Sequence, residues 1–331
     1  MPVSCMGARP ARGAMAARSM RTTRRGLVIA GLAVLGLSAC RQTRAQRSLA
    51  PAEQYPGGRL LIEAPELADR IGERSLVILD ASRLHEYHAG HIPGARHVWW
   101  QDTMEIHNEI YGMLVGEPRR SQLVRRIGLD PDDEVVVYER GDGRAACRWL
   151  WFFHAIGFRR VRLLHGGLRA WLAAGYPTTR ALPPAAEHGT FQPVLHYDVL
   201  AELPDVQAAL LDPESCLLDN RTDQERRQTW GGRLRLGQIP GAVAVPWRAL
   251  LAGDPPLAFR PPDELAALYR SVSVQPEQRV IVYGLSSPHA AISYVSLRLL
   301  DYPNVRIYDG SWAQWGILND LPIEPADVSK P

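Results

Sequence analysis

The residues with the clearest chemical potential in this chain lie in Arg279-Val-Ile-Val-Tyr-Gly284-Leu-Ser-Ser-Pro-His-Ala-Ala291. Residues 280–283 form an unbroken apolar run, the pattern of a strand buried on both faces, and the Ala-rich stretch 289–300 reads as the helix that follows. The loop between them sits where a strand's carboxyl end meets a helix N-terminus. Backbone N–H groups and the positive end of the helix dipole converge there, so the expected chemistry is anion binding by Gly284, Leu285, Ser286, Ser287 and His289. A second chemistry uses the same residues: Ser286 as a nucleophile with His289 as its base. It needs an acidic partner for the histidine, which the neighbouring sequence does not offer, and Pro288 stands between the two.

The pattern occurs twice. Glu134-Val-Val-Val-Tyr-Glu139-Arg-Gly-Asp-Gly-Arg144-Ala-Ala-Cys147-Arg148 aligns with it without a gap, placing Tyr138 on Tyr283, Glu139 on Gly284 and Arg144 on His289. Gly90-His-Ile-Pro-Gly-Ala95 repeats as Gly237-Gln-Ile-Pro-Gly-Ala242, and His165-Gly-Gly-Leu-Arg-Ala-Trp171 as Asp309-Gly-Ser-Trp-Ala-Gln-Trp315, so one unit has been duplicated. In the first loop Gly141 and Gly143 can turn amides inward and Arg140 and Arg144 add positive charge, which Glu139 and Asp142 oppose.

These landmarks, in the same order in both halves, resemble the tandem-domain rhodanese family, the thiosulfate and 3-mercaptopyruvate sulfurtransferases, over about residues 55–324. The resemblance implies an α/β fold of two rhodanese-like domains, each a mainly parallel sheet flanked by helices. It also implies a nucleophilic cysteine directly after the second domain's strand, carrying sulfur as a persulfide. The matching residues are Gly284 and, in the first domain, Glu139, and neither can carry sulfur. Ser287 replaces a loop glycine, Pro288 removes a backbone donor, and His289 replaces an arginine of the family pattern. The expectation is a degenerate member whose cleft binds a small anion, a sulfur-bearing ligand or a protein partner, with no cofactor. The alternative is an active sulfurtransferase using a non-standard nucleophile, Cys147 or Cys216. Both thiols fall in apolar surroundings and read as core.

Around these loops, Asp80-Ala-Ser-Arg83 and Asp219-Asn-Arg221 are matching landmarks of the two halves, and Asp80 and Arg83 are expected to tie neighbouring loops by charge-assisted bonds rather than to act on substrate. His88 and His91 could suggest a metal pair, but a Pro-Gly turn follows and no third ligand is near, so the expectation is no metal. Trp149, Trp151, Phe152 and Phe153 surround their helix too completely for one exposed face and read as core and domain contact, and Trp230 reads as packing at the domain boundary, with contact to a ligand at the cleft as the alternative. Helices are expected over 83–89, 123–127 and 149–156.

At the N-terminus, Met20-Arg-Thr-Thr-Arg-Arg25 precedes an uncharged apolar stretch and Leu37-Ser-Ala-Cys40. This reads as a lipoprotein-type signal peptide over 1–39, with a start at 20 also open, because a span needs roughly 20 apolar residues. Cys40 is then the lipidated first residue of an exported protein on the periplasmic face of a bacterial membrane. The route, Sec or twin-arginine, stays open. Residues 40–56 read as a tether, 57–177 as the first domain, 178–192 as a Pro-rich linker and 193–326 as the second domain. The composition of the whole chain, 46% hydrophobic and 22% charged, suits two ordinary cores, and its net charge of +3 owes much to the N-terminal arginines, so no polybasic face for nucleic acid is expected.

Overall fold

The structure, a computed structural model, describes residues 49–186, 189–230, 232–253 and 256–325. The signal segment, Cys40 and the first part of the tether lie outside the described residues.

The first half runs β1 (Leu61–Ile62), α1 (Ala64–Arg70), β2 (Leu76–Asp80), α2 (Leu84–Ala89), β3 (Arg96–His97), a hairpin of β4 (Met104–His107) and β5 (Ile110–Leu114), α3 (Arg119–Ile127), β6 (Glu134–Tyr138), α4 (Arg144–Ala155), β7 (Val161–Leu164) and α5 (Gly167–Ala173). The second runs β8 (Leu200–Ala201), α6 (Leu203–Ala209), β9 (Ser215–Asp219), α7 (Asp223–Arg226), β10 (Val243–Ala244), a hairpin of β11 (Leu251–Gly253) and β12 (Pro256–Phe259), α8 (Pro262–Ser271), β13 (Arg279–Tyr283), α9 (Ser287–Leu299), β14 (Val305–Tyr308) and α10 (Ser311–Trp315). Each half builds a five-stranded parallel sheet, in the order β1-β7-β6-β2-β3 and the matching β8-β14-β13-β9-β10.

The duplication extends to register and single bonds. Asp80 pairs with Tyr138 as Asp219 pairs with Tyr283. The Tyr138 hydroxyl accepts from the Ile92 N–H at 2.9 Å, and the Tyr283 hydroxyl from Ile239 at 3.2 Å, so each buried strand end anchors its Ile-Pro-Gly turn.

Helix starts differ from expectation for local reasons. The second loop's helix begins at Ser287 rather than 289, because Ser286 is extended (φ −146°, ψ 166°) as N-cap and Pro288 sits in the first turn, where its missing N–H costs nothing. The first loop's helix begins at Arg144 rather than 149, entered through Gly143 at φ +86°, and α3 begins at Arg119 rather than 123.

α4 and α9 pack on each other between the two sheets. Trp149, Trp151, Phe152 and Phe153 of α4 and Ile292, Tyr294 and Val295 of α9 are fully buried in one cluster with residues of both halves. Trp151 Nε1 donates to the Val199 carbonyl at 3.0 Å and His154 Nδ1 lies 2.8 Å from the Tyr294 hydroxyl. Described residues of the expected tether are packed rather than free: Tyr55 is buried and its hydroxyl donates to the Arg260 carbonyl at 2.9 Å. The expected linker is pinned at Thr179, which exchanges backbone bonds with His91.

Candidate functional site

Both loops open on one cavity of about 1030 Å³ between the two sheets. On the second loop, the carbonyls of Gly284 and Leu285 accept from the Trp312 and Ala313 amides (2.9 and 3.0 Å), and the His289 amide turns back to the Ser286 carbonyl (3.2 Å). Ser287 Oγ donates to the Gly112 carbonyl at 2.7 Å, so the β4–β5 hairpin of the first half closes over this loop. The amides of Leu285, Ser286 and Ser287 find no protein acceptor among the described residues, and Ser286, 7% exposed, lines the cavity with its hydroxyl unpartnered.

Gly284 is a filled position. A Cβ there would lie 2.6 Å from Asn220 Oδ1, 3.0 Å from His289 Cβ and 3.1 Å from the Ser286 carbonyl oxygen, closer than side chains tolerate. Asn220 cannot swing aside without loss, because its Nδ2 donates to the His289 carbonyl and to Ser293 Oγ.

His289 Nε2 lies 2.8 Å from Arg144 Nη1, which joins the two loops across the cleft. A guanidinium only donates, so Nε2 accepts and the proton resides on Nδ1, which is buried without a partner. Burial pushes this imidazole's pKa down, against the pull of Glu225. Glu225, on α7, supplies the acidic neighbour that the sequence did not reveal, 3.6 Å from Nε2. It stands at the nitrogen Arg144 already uses, and Nδ1–H cannot take a proton from Ser286. Serine–histidine hydrolysis loses its base in this arrangement.

The first loop holds its own carboxylate. Glu139 is 9% exposed, and its Oε1 accepts from the Ala145 and Ala146 amides (3.0 and 3.3 Å) at the α4 N-terminus, the place an external anion would take. Burial, with Asp142 nearby, pushes this carboxyl up to about 7. Arg140 turns away, its guanidinium on the Gly90 carbonyl, and Arg144 is bonded to Asp142 at 2.9 Å. Gly143 supplies the left-handed turn into α4, and Gly141 leaves room beside Glu139 Oε2, 2.9 Å from where its Cβ would be.

The acid–base tie expected of Asp80 and Arg83 is absent from their strand end among the described residues and is found at the matching point of the second half. Asp219 and Arg221 are fully buried and paired at 2.6 Å, with Tyr283 donating to Asp219 Oδ2 at 2.9 Å. Asp80 instead accepts from the Ser82 amide at 2.8 Å, while Arg83, one residue further along than Arg221, is exposed on the cavity wall. His91 is buried with both ring nitrogens against carbonyls (3.0 and 3.2 Å), and His88 is exposed. Cys147 is 2% exposed, and burial with Glu139 and Asp142 nearby pushes its thiol well up; burial lifts Cys216 to about 11.

The sequence reading missed the aromatic wall. Trp99, Trp100 and Tyr111 line the cavity unforeseen, and with them Trp230, 48% exposed with φ +47°, which stands where the ligand-contact alternative puts it rather than in the favoured boundary packing. The adjacent pair Trp99-Trp100 just past an Ile-Pro-Gly turn was the available signal. It also missed a buried pair beneath the cleft, Arg148 and Asp309 at 3.8 Å; burial holds Arg148 down to about 10 and pushes Asp309 up.

A model of the rhodanese-like domain matches residues 63–174 and 202–317, one copy on each half. The chain belongs to the rhodanese family. It is 31% identical over 265 residues to a thiosulfate sulfurtransferase of Azotobacter vinelandii, covering 80% of this chain and 97% of the relative. It is 30% identical over 280 residues to a 3-mercaptopyruvate sulfurtransferase of Escherichia coli (strain K12), covering 80% and 97%. The crystal structure of a 3-mercaptopyruvate sulfurtransferase from Escherichia coli superposes with a TM-score of 0.69 at 27% identity, over 76% of this chain and 98% of that one.

Proposed function

We propose that this protein is a degenerate sulfurtransferase, exported and held at the periplasmic face of a membrane by lipid on Cys40, whose cleft binds an anion or a partner instead of moving sulfur. The observation that carries this reading is the residue after β13. In the sulfurtransferases it resembles, a cysteine there takes up the sulfur; here Gly284 stands in a spot where a Cβ would meet Asn220 Oδ1 at 2.6 Å. Persulfide chemistry needs a thiolate among loop donors, and both described cysteines are buried with raised pKa values. The loop's free amides and the Ser286 hydroxyl keep a capacity for a neutral or singly charged oxyanion, and Glu139 across the cleft disfavours a dianion such as thiosulfate.

The test is sulfur transfer from thiosulfate or mercaptopyruvate to cyanide by the full chain. The expected rate is indistinguishable from the uncatalysed one. Turnover that vanished in Cys147→Ser would instead establish an active enzyme with a non-standard nucleophile. For the anchor, Cys40→Ala should move the protein from the membrane to the soluble fraction, since two or three acyl chains bind far beyond the marginal affinity of one.

A further inference from the structure

The charges around the cavity are mostly neutralised by one another. Arg144 is bonded to Asp142, Arg233 to Glu109 across the domains at 3.1 Å, Glu139 to the α4 amides, and Glu86 to the Arg83 backbone N–H at 3.0 Å. Among the lining groups left without a protein partner, those of donor or cationic character are the amides of Leu285 and Ser286, the Ser286 hydroxyl, and the Arg83 guanidinium, which has no carboxylate partner among the described residues. Another part of the wall is aromatic. The Trp99 and Trp100 rings lie 5.8 Å apart at 54°, and Trp99 Nε1 donates to Gln101, whose amide donates to the Tyr111 hydroxyl. Trp230 adds a half-exposed ring from the second half. The volume of about 1030 Å³ matches the space organic ligands occupy and far exceeds what a sulfur oxyanion fills.

We propose that the cleft binds a planar organic monoanion, with an aromatic or heteroaromatic body against Trp99, Trp100, Tyr111 and Trp230 and one carboxylate or sulfonate head on the amides of Leu285 and Ser286, with Arg83 on the wall of the same cavity. This deepens the anion-binding reading above and rests on it. A second negative charge is disfavoured because the Arg144 to His289 contact brings the carboxylates of Glu139 and Asp142 close to the same space. A body without a head leaves the amides and the Ser286 hydroxyl desolvated and unpaired, and a head without a body forgoes the aromatic wall.

The experiment is calorimetric titration of the full chain with 2-naphthoate, with neutral 2-naphthamide and with thiosulfate. 2-Naphthoate should bind about tenfold or more tighter than either of the others. Trp230→Ala should weaken it about five-fold and Arg83→Glu about tenfold. Both side chains are exposed, so an unchanged unfolding midpoint verifies that each variant is folded. Naphthoate binding no tighter than naphthamide's, or indifferent to both substitutions, overturns the proposal. Thiosulfate binding without naphthoate binding also overturns it, leaving anion binding in place but not the preference for a single charge. The sulfur-transfer assay decides the degenerate reading separately.

Discussion

Gly284 and Glu139 occupy equivalent points of two equivalent loops, and each closes its own point to an added nucleophile. Gly284→Cys must displace Asn220 Oδ1, whose side chain is fixed by bonds to the His289 carbonyl and Ser293. The variant should lose about 1–3 kcal/mol of stability through overpacking and should gain no measurable thiosulfate turnover. Chemical unfolding and the cyanide assay check both halves of that statement, and a stable, active Gly284→Cys would contradict it.

Glu139 gives a pH dependence whose sign is fixed. Its carboxyl titrates near 7 in the folded chain against an ordinary 4.5, so the folded state binds the proton more tightly. The residue therefore supports folding fully below about 4.5, and that support is lost as the pH rises through 7, by on the order of 3 kcal/mol at most. Glu139→Gln keeps an acceptor oxygen for the Ala145 and Ala146 amides and removes the titration. Relative to the parent it should gain stability between pH 5 and pH 8 in urea unfolding, and a difference that did not change with pH would refute the assignment.

Among the elements, α4 and α9 matter most, because their shared face belongs to neither half alone. Trp151 is fully buried, donates to the Val199 carbonyl and carries the Arg148 guanidinium 4.5 Å over its ring. Trp151→Ala should cost about 3–5 kcal/mol in equilibrium unfolding, the range for a large buried aromatic. Much of this level was legible in the sequence. Strand, loop and helix around residue 284 follow from local periodicity and turn chemistry, and the second copy confirmed each landmark. What was not legible depends on contacts distant in the chain. Glu225 meets His289, the Gly112 carbonyl meets Ser287, and the Trp99-Trp100 pair faces a cavity only because the fold brings a second half to it. Arg83 escaped for a different reason: one extra residue after Asp80 turns it to the cleft, where Arg221 is buried beside Asp219. Cys147 and Cys216 were read as core because their neighbours are apolar, and burial alone decides that.

For the molecule as a whole, the apolar cluster that contains α4 and α9 takes side chains from both sheets. Arg148 and Asp309 form a buried pair across the same boundary, and Asp309 Oδ2 accepts from the Leu114 amide at 2.6 Å. Opening the halves would expose fully buried tryptophans and strand two charges, a cost of several kcal/mol. Scanning calorimetry should therefore give one transition for both rhodanese-like halves; two resolved transitions would show that the shared core is weaker than its burial implies.

The shared seam also sets a clock on biosynthesis. His154 on α4 and its partner Tyr294 on α9 are separated by 140 positions in the chain. At elongation rates of about 5–20 residues per second, the aromatic face of α4 waits roughly 7–28 seconds before the helix that covers it has been made. Throughout that interval the nascent first half lacks the second-half partners of Trp151 and His154, and that face must be kept from self-association until the ribosome finishes the second half.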